Sequence, residues 1–464
     1  MENEEFFVTL QPHISFFKMN NSTGKTFLLT LGTVAVLLLI GLLPTFSIGN
    51  FESRPVEMLS DLLEPDSTIN KPTMPAVAVK KQPVAKYHPA GVTLFEDFSE
   101  GKPGGMNHFW DKLLNAKRGG RINIAYFGDS FIESDILTCD LREMLQAKYG
   151  GSGPGWVDCG GGVGTNKPTI TARAKNIKEN CILNKPFDVA LEAMNQRYYY
   201  ASAGATLNLS ATKYKPHVVS WDRAMLFFAT DSKFTVKTSG DSLIMGERTF
   251  EPLGEVQVME TKARMTKLNY TFPNANSRTR LFGVALDGAK GVALDNFSMR
   301  GTPGFMLAKL PVKTMQEINK YRPYDLIILQ FGLNVVDDKA SDAYCRTYIN
   351  RMKKVIETFR QGFPQASIVV FSVPDRVQRS AGGFHTLRGV QKLVGFQRVL
   401  ASECGVAYLN VHEIMGGNDS MKKFVEQGLA AKDYTHLNYK GGKEIANRIY
   451  QSILAGVENY RRGH

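Results

Sequence analysis

Cysteine is scarce in this chain of 464 residues, with five in all, at positions 139, 159, 181, 345 and 404. No two of them form a C-x-x-C pair, which excludes the common zinc and thiol-disulfide motifs. The expected state is buried free thiols packing as small apolar side chains. Dense basic blocks are also missing. Lys and Arg number 56 against 44 Asp and Glu, a net charge of +12, but the surplus is scattered apart from pairs such as Lys80-Lys81, Lys353-Lys354 and Arg461-Arg462. Such a surplus favours acidic surfaces, anionic glycans or lipid headgroups among them. Without zinc-finger spacing or an aromatic-rich RNA-binding signature it argues against nucleic acid. No internal repeat is present, so a solenoid is excluded. At 43% hydrophobic and 22% charged residues the composition is that of a folded protein, and the length suits two domains of ~100 to 200 residues.

One long uncharged apolar run does stand in the chain: Phe27 to Leu43, FLLTLGTVAVLLLIGLL, continuing through Pro44 to Gly49. At ~1.5 Å per residue it can cross a ~30 Å hydrocarbon layer. The segment before it is long, carries Glu2, Glu4 and Glu5, and is not followed by a small-x-small cleavage site, so the reading is an uncleaved anchor rather than a secretory signal. Lys18 and Lys25 precede the run, while Glu52, Arg54 and Glu57 follow it. That asymmetry places residues 1–26 in the cytoplasm, the span at 27–49, and the rest outside the membrane, in a periplasm-like compartment. Residues 50–90 carry Pro55, Pro65, Pro72, Pro75, Pro83 and Pro89 with little apolar periodicity, as an extended tether does.

Beyond the tether the pattern alternates. Helices are predicted over 95–116, 135–149, 340–361, 389–404 and 441–456, and short apolar runs at 122–127 (INIAYF), 325–331 (DLIILQF) and 367–373 (SIVVFSV) suit buried parallel strands. Strands alternating with helices imply an α/β fold with a parallel sheet. Residues 167–290 differ: runs such as LFFA, FTVKT, VQVME and LNYTF are separated by Gly, Asp, Asn and Ser, the pattern of an antiparallel β-sandwich. The domain expectation is therefore an α/β domain made of 91–166 and 291–464, interrupted by a β-sandwich at 167–290. Tyr198, Tyr199, Tyr200 and Trp221 in that insert are either ligand platforms or strand packing, and packing is the default.

Three polar constellations stand beside α/β elements. INIAYF runs into Gly128-Asp129-Ser130, a serine on a tight turn at the carboxyl end of a strand, where open α/β sheets carry their sites. DLIILQF runs into Gly332-Leu333-Asn334, where an asparagine amide can face a developing oxyanion. Asp433-Tyr434-Thr435-His436 precedes a C-terminal amphipathic helix, and a carboxylate three residues before a histidine can fix its tautomer. Taken singly each is ordinary loop chemistry.

Taken together and in this order they resemble the SGNH (GDSL-like) hydrolase superfamily. Its blocks are a G-D-S turn, a lone glycine, a G-x-N and a C-terminal D-x-x-H. The resemblance covers about 121–164 and 291 to the C-terminus, and it implies a flavodoxin-like three-layer domain with a parallel sheet. It implies Ser130 as nucleophile, Asp433 and His436 as the activating pair, and an oxyanion hole of Ser130, Gly301 and Asn334. Gly301 is taken from DNFSMRGTPG, with Gly304 its nearest rival, and Val335 follows Asn334 where many members have aspartate. GDSFIESDILTCDLREMLQAKYGGSGPGWV and the return through RLFGVALDGAKGVALDNFSMRG look like the cell-envelope members with an inserted, jelly-roll-like, carbohydrate-binding-like β-sandwich, the peptidoglycan O-acetylesterases being the best example. The implied activity is a serine esterase acting through an acyl-enzyme on an acetylated glycan or other ester, with no cofactor and no metal. The rivals are a lipase, lysophospholipase or thioesterase on the same residues, or an O-acetyltransferase or glycan-binding protein with an idle site. A Ser130 remote from His436 would favour the last. His385 and His412, the other histidines assigned to the α/β part, are read as structural or surface residues.

Overall fold

The computed structural model describes residues 84–160, 166–241, 245–380 and 383–463, together with 24, 26–33, 36, 47, 48, 51, 52, 79, 80 and 82. The chain divides into two compact units, Met1–Lys71 and Pro72–His464. In the first, residues 26–33 are helical, and the hydroxyls of Thr30 and Thr33 donate back to the carbonyls of Thr26 and Leu29. The side chains of Phe27, Leu28, Leu29 and Leu31 on it are exposed. Among the described residues no helix is long and apolar enough to cross a membrane. The expected span at 27–49 lies in large part outside them, as do most of 1–26 and of the tether.

The second unit holds two sheets. In the first, strands follow the order Gly291–Ser298, Arg121–Gly128, Leu326–Gln330, Ser367–Phe371, Ala407–Leu409, Glu96–Asp97. The first five are parallel and the last is antiparallel. Side chains of the central strands are buried on both faces, which is why they read as unbroken apolar runs instead of alternating. The helices form two sets whose members pack on one another: Asn107–Leu114 and Thr138–Tyr149 with Tyr439–Gly463, and Val312–Tyr321 and Asp342–Gly362 with Arg388–Cys404. Asp342–Gly362 shows the cause. Cys345, Tyr348, Ile349, Met352, Val355, Ile356 and Phe359 recur at helical spacing and are buried, and the Ser341 hydroxyl caps the start by accepting from Tyr344 N at 3.2 Å.

The second sheet is antiparallel, nine-stranded and nearly barrel-like. Its longest strand, Arg197–Ala211, pairs with Ile170–Cys181 along one edge and with Lys267–Phe272 and then Thr279–Asp287 along the other. One strand thus serves both halves, which closes a single sheet where two stacked sheets were expected. Trp221–Thr230 is buried on both faces: Met225, Phe227 and Ala229 join the core of the α/β part, while Ala224, Leu226 and Phe228 join a separate core inside the β module. The run LFFA is continuous for that reason.

Three local expectations change. Residues 95–116 are not one helix: Glu96–Asp97 is a strand, and only Asn107–Leu114 is helical. Pro103, Gly104 and Gly105 break the helix, and the Asp97 carboxylate fixes the turn by accepting the amides of Ser99 and Met106. The helix expected from Asp135 starts at Thr138, because Ser134 and Asp135 take positive φ values of 55° and 63°. Gly155–Val157, Gly291–Ser298 and Ala407–Leu409 are strands that the apolar pattern did not single out. All five cysteines are free, four of them buried.

The β module joins the α/β sheet through buried charge. Arg322 donates to Asp295 at 2.6 and 2.8 Å and pairs with Asp287, the last residue of a β-module strand. Asp295 also accepts Tyr324 OH and the amide of Trp156. Burial raises the pKa of Asp287, against the pull of Arg322. A second joint is Asp135, held by two bonds from Arg142 at 2.8 and 2.9 Å and by the Thr169 hydroxyl at 2.7 Å.

Candidate active site

Strand register decides what meets at the carboxyl edge. Gly128 lies opposite both Ser298 and Gln330, so three strands end level and their following turns open side by side. Ser130 follows the first strand, Arg300-Gly301 the second and Gly332-Leu333-Asn334 the third. Gly128 itself admits no side chain: a Cβ there would come within 2.9 Å of Ile132.

The fourth contribution comes from the segment ahead of Tyr439–Gly463. Asp433 Oδ1 accepts the amides of Thr435 and His436, both at 3.0 Å, and its Oδ2 lies 2.7 Å from His436 Nδ1. Tyr434 takes a positive φ of 54° in this turn, and its ring stacks on Phe384 at 4.2 Å. His436 Nε2 stands 2.8 Å from Ser130 Oγ. An ionised Asp433 can only accept, so Nδ1 carries the proton, and Nε2 keeps a lone pair aimed at the serine hydroxyl. Partial burial raises the Asp433 pKa, but the hydrogen bonds from His436 and Thr435 outweigh it and the net shift is downward. The side chains of His436 and Asp433 are 40% and 50% exposed, so reactants can reach them.

The two remaining site residues differ. Asn334 is exposed, and its Nδ2 donates to the Thr302 carbonyl at 3.2 Å, next to Gly301; the second amide hydrogen is left over. Gly301 has φ 72° and open space where a side chain would stand, whereas a Cβ on Gly304 would strike the Phe331 ring at 2.5 Å. Gly304 is therefore needed for packing, and Gly301 is the glycine facing free space.

Other residues of this edge escaped the sequence reading. Asp129 is buried and accepts the Phe131 amide at 3.0 Å. Burial pushes its pKa up to about 6, against the amides of Phe131, Leu333 and Gly332 and the His436 ring. Its signal was present, since it is the middle letter of G-D-S. Arg376 donates to the Leu333 carbonyl at 3.0 Å, and Arg300 lies 3.5 Å from Glu133; neither carried a motif. His412 is a largely buried side chain 3.8 Å from Asp375, and His385 is 3.8 Å from Asp338. His108 belongs to the α/β part as well: at the opposite end of the sheet it lies 3.0 Å from Asp325, lining a cavity of about 400 Å³. Tyr198, Tyr199 and Trp221 are buried packing residues.

No protein-family model and no curated protein matches this chain. Among solved structures it is similar to a peptidoglycan O-acetylesterase at a TM-score of 0.65 and 21% identity, over 78% of this chain and 99% of that one. It is also matched, at a TM-score of 0.27 and 9% identity, to an active-site mutant of a family two carbohydrate esterase from Clostridium thermocellum, over 60% of this chain and 97% of that one. The first likeness shows a shared fold across both sheets of the second unit.

Proposed function

We propose that this protein is a serine esterase of the SGNH type that removes O-acetyl groups from a cell-envelope glycan such as peptidoglycan. The observation that carries the reading is the line from Asp433 to His436 to Ser130, with contacts of 2.7 and 2.8 Å at the carboxyl edge of a parallel sheet. A binding protein with an idle site would not need that alignment. The fold shared with a peptidoglycan O-acetylesterase supports the choice of ester and polymer.

His436 Nε2 takes the Ser130 proton as Oγ attacks the acetyl carbonyl, and Asp433 stabilises the imidazolium that forms. The Ser130 amide, the Gly301 amide and the Asn334 side chain hold the oxyanion. The alkoxide of the sugar leaves with the proton from His436, and water then attacks the acetyl-serine by the same route in reverse, releasing acetate. Localisation belongs to the same proposal: the run at 27–49 would anchor the chain, the tether would give reach, and the two sheets would work outside the membrane. The exposed Phe27, Leu28, Leu29 and Leu31 are consistent with an apolar surrounding there. The boundaries 91–166 with 291–464 for the hydrolase domain, and 167–290 for the inserted module, are part of this reading.

The test is acetate release from O-acetylated peptidoglycan and from 4-nitrophenyl acetate by the wild type and Ser130→Ala. Serine-dependent release from both supports the reading. Release from the aryl ester alone would redirect it to a lipid ester or thioester, and no release from either would overturn it.

A further inference from the structure

The three turns of the site meet a single buried carboxylate. Asp129 Oδ1 caps the turn that carries Ser130 by accepting Phe131 N at 3.0 Å. The amides of Gly332 and Leu333, in the turn that carries Asn334, face the same carboxylate and draw its pKa down. Tyr348, whose hydroxyl donates to the Pro303 carbonyl at 3.0 Å beside the Gly301 turn, is close enough to feel its charge. Its Oδ2 has no hydrogen-bond donor, although the residue is only 2% exposed. A buried carboxylate with a free oxygen is an expensive way to cap a short turn. A serine or asparagine would accept the Phe131 amide at lower cost.

We propose that Asp129 is a positioning residue, whose negative charge and not merely its shape holds the Ser130 and Asn334 turns in the mutual register that oxyanion stabilisation requires. The inference rests on the esterase reading above. Charge-assisted acceptance of backbone amides is stronger than neutral acceptance. An ionised Asp129 therefore fixes amides of two turns, while a neutral residue fixes one by shape. The charged or titratable groups facing it are His436, Tyr126, whose hydroxyl donates to Gln330, and Tyr348.

The cost should be visible in stability. Burial lifts this carboxyl from an ordinary 3.8 to about 6. Its ionised form therefore weakens the fold as pH rises from 4 through 6, and a neutral replacement removes that penalty above pH 6. A residue that is only structural loses stability and activity together, whereas a positioning charge separates them.

The experiment compares wild type, Asp129→Asn, Asp129→Ser and Ser130→Ala on 4-nitrophenyl acetate from pH 5 to 9, with melting temperatures across the same range. The expected result is a ~10²-fold loss of kcat at pH 8, of the size seen when one oxyanion donor is lost, with a melting temperature at or above wild type at pH 8 that converges with it towards pH 4. The acid limb of kcat/KM should steepen towards two protons in wild type and fall to one in the variants. Wild-type kcat in both variants, or a loss of kcat matched by a lower melting temperature at pH 8, would overturn the proposal. If Asp129→Asn does not fold, Asp129→Ser decides alone. Absence of any difference between wild type and Ser130→Ala would instead bring down the esterase reading, and this inference with it.

Discussion

Two regions of the second unit use the same kinds of side chain to opposite ends. At the seam between the sheets, Arg322, Asp287 and Asp295 are 0 to 2% exposed and saturate one another. At the carboxyl edge, Asp433 and His436 are 40 to 50% exposed and leave one nitrogen free for Ser130. Removing charge from water is costly and is repaid only by full pairing, so the seam is locked in one state. The edge is kept wet enough for protons to move, and only Asp129 breaks that rule. Burial thus separates residues that hold the architecture from residues that can react.

This contrast can be broken or sharpened by substitution. Ser130→Ala should reduce acetate release by ~10⁶-fold, as removal of a nucleophile does elsewhere, with unchanged urea unfolding; a large stability loss would blur the division. Arg322→Met should do the reverse: two carboxylates lose their cation, unfolding in urea should register a loss of ~3 to 5 kcal/mol, and kcat of the folded fraction should hold. Asn334→Ala, on an exposed edge residue, should cut kcat by ~10² to 10³-fold at constant melting temperature. Gly283→Ala should cost ~1 to 3 kcal/mol by overpacking, since its Cβ would come within 2.4 Å of the Trp156 indole. The smallest effect concerns the thiols. Burial pushes Cys345 and Cys404 up to about 11, so little thiolate exists at pH 8, and native protein should resist iodoacetamide by mass spectrometry while urea-unfolded protein is fully labelled.

The parallel strands were legible because a strand buried on both faces must be apolar throughout, as INIAYF and DLIILQF are. Glu96–Asp97 was not legible, since a polar two-residue strand is made by its pairing with Ala407 and Tyr408 and by nothing in its own composition. Nor was the role of Gly155–Val157, which pairs with Thr279–Asp287 across the whole β module. In the site, Ser130, Asn334, Asp433 and His436 announced themselves through short words around tight turns. Arg376 did not, because donating to the Leu333 carbonyl needs no particular neighbours in sequence.

By itself, then, the sequence determined the element types, the place of the β-rich segment and the four polar words, because periodicity and turn chemistry are local. Only the tertiary structure decided that Gly301 and not Gly304 faces open space, that one long strand closes the second sheet, and that Asp129 lies beneath two turns at once. Those outcomes depend on which chain segments end level in a sheet and what fills the space behind them, and that is a property of packing between residues far apart in the chain.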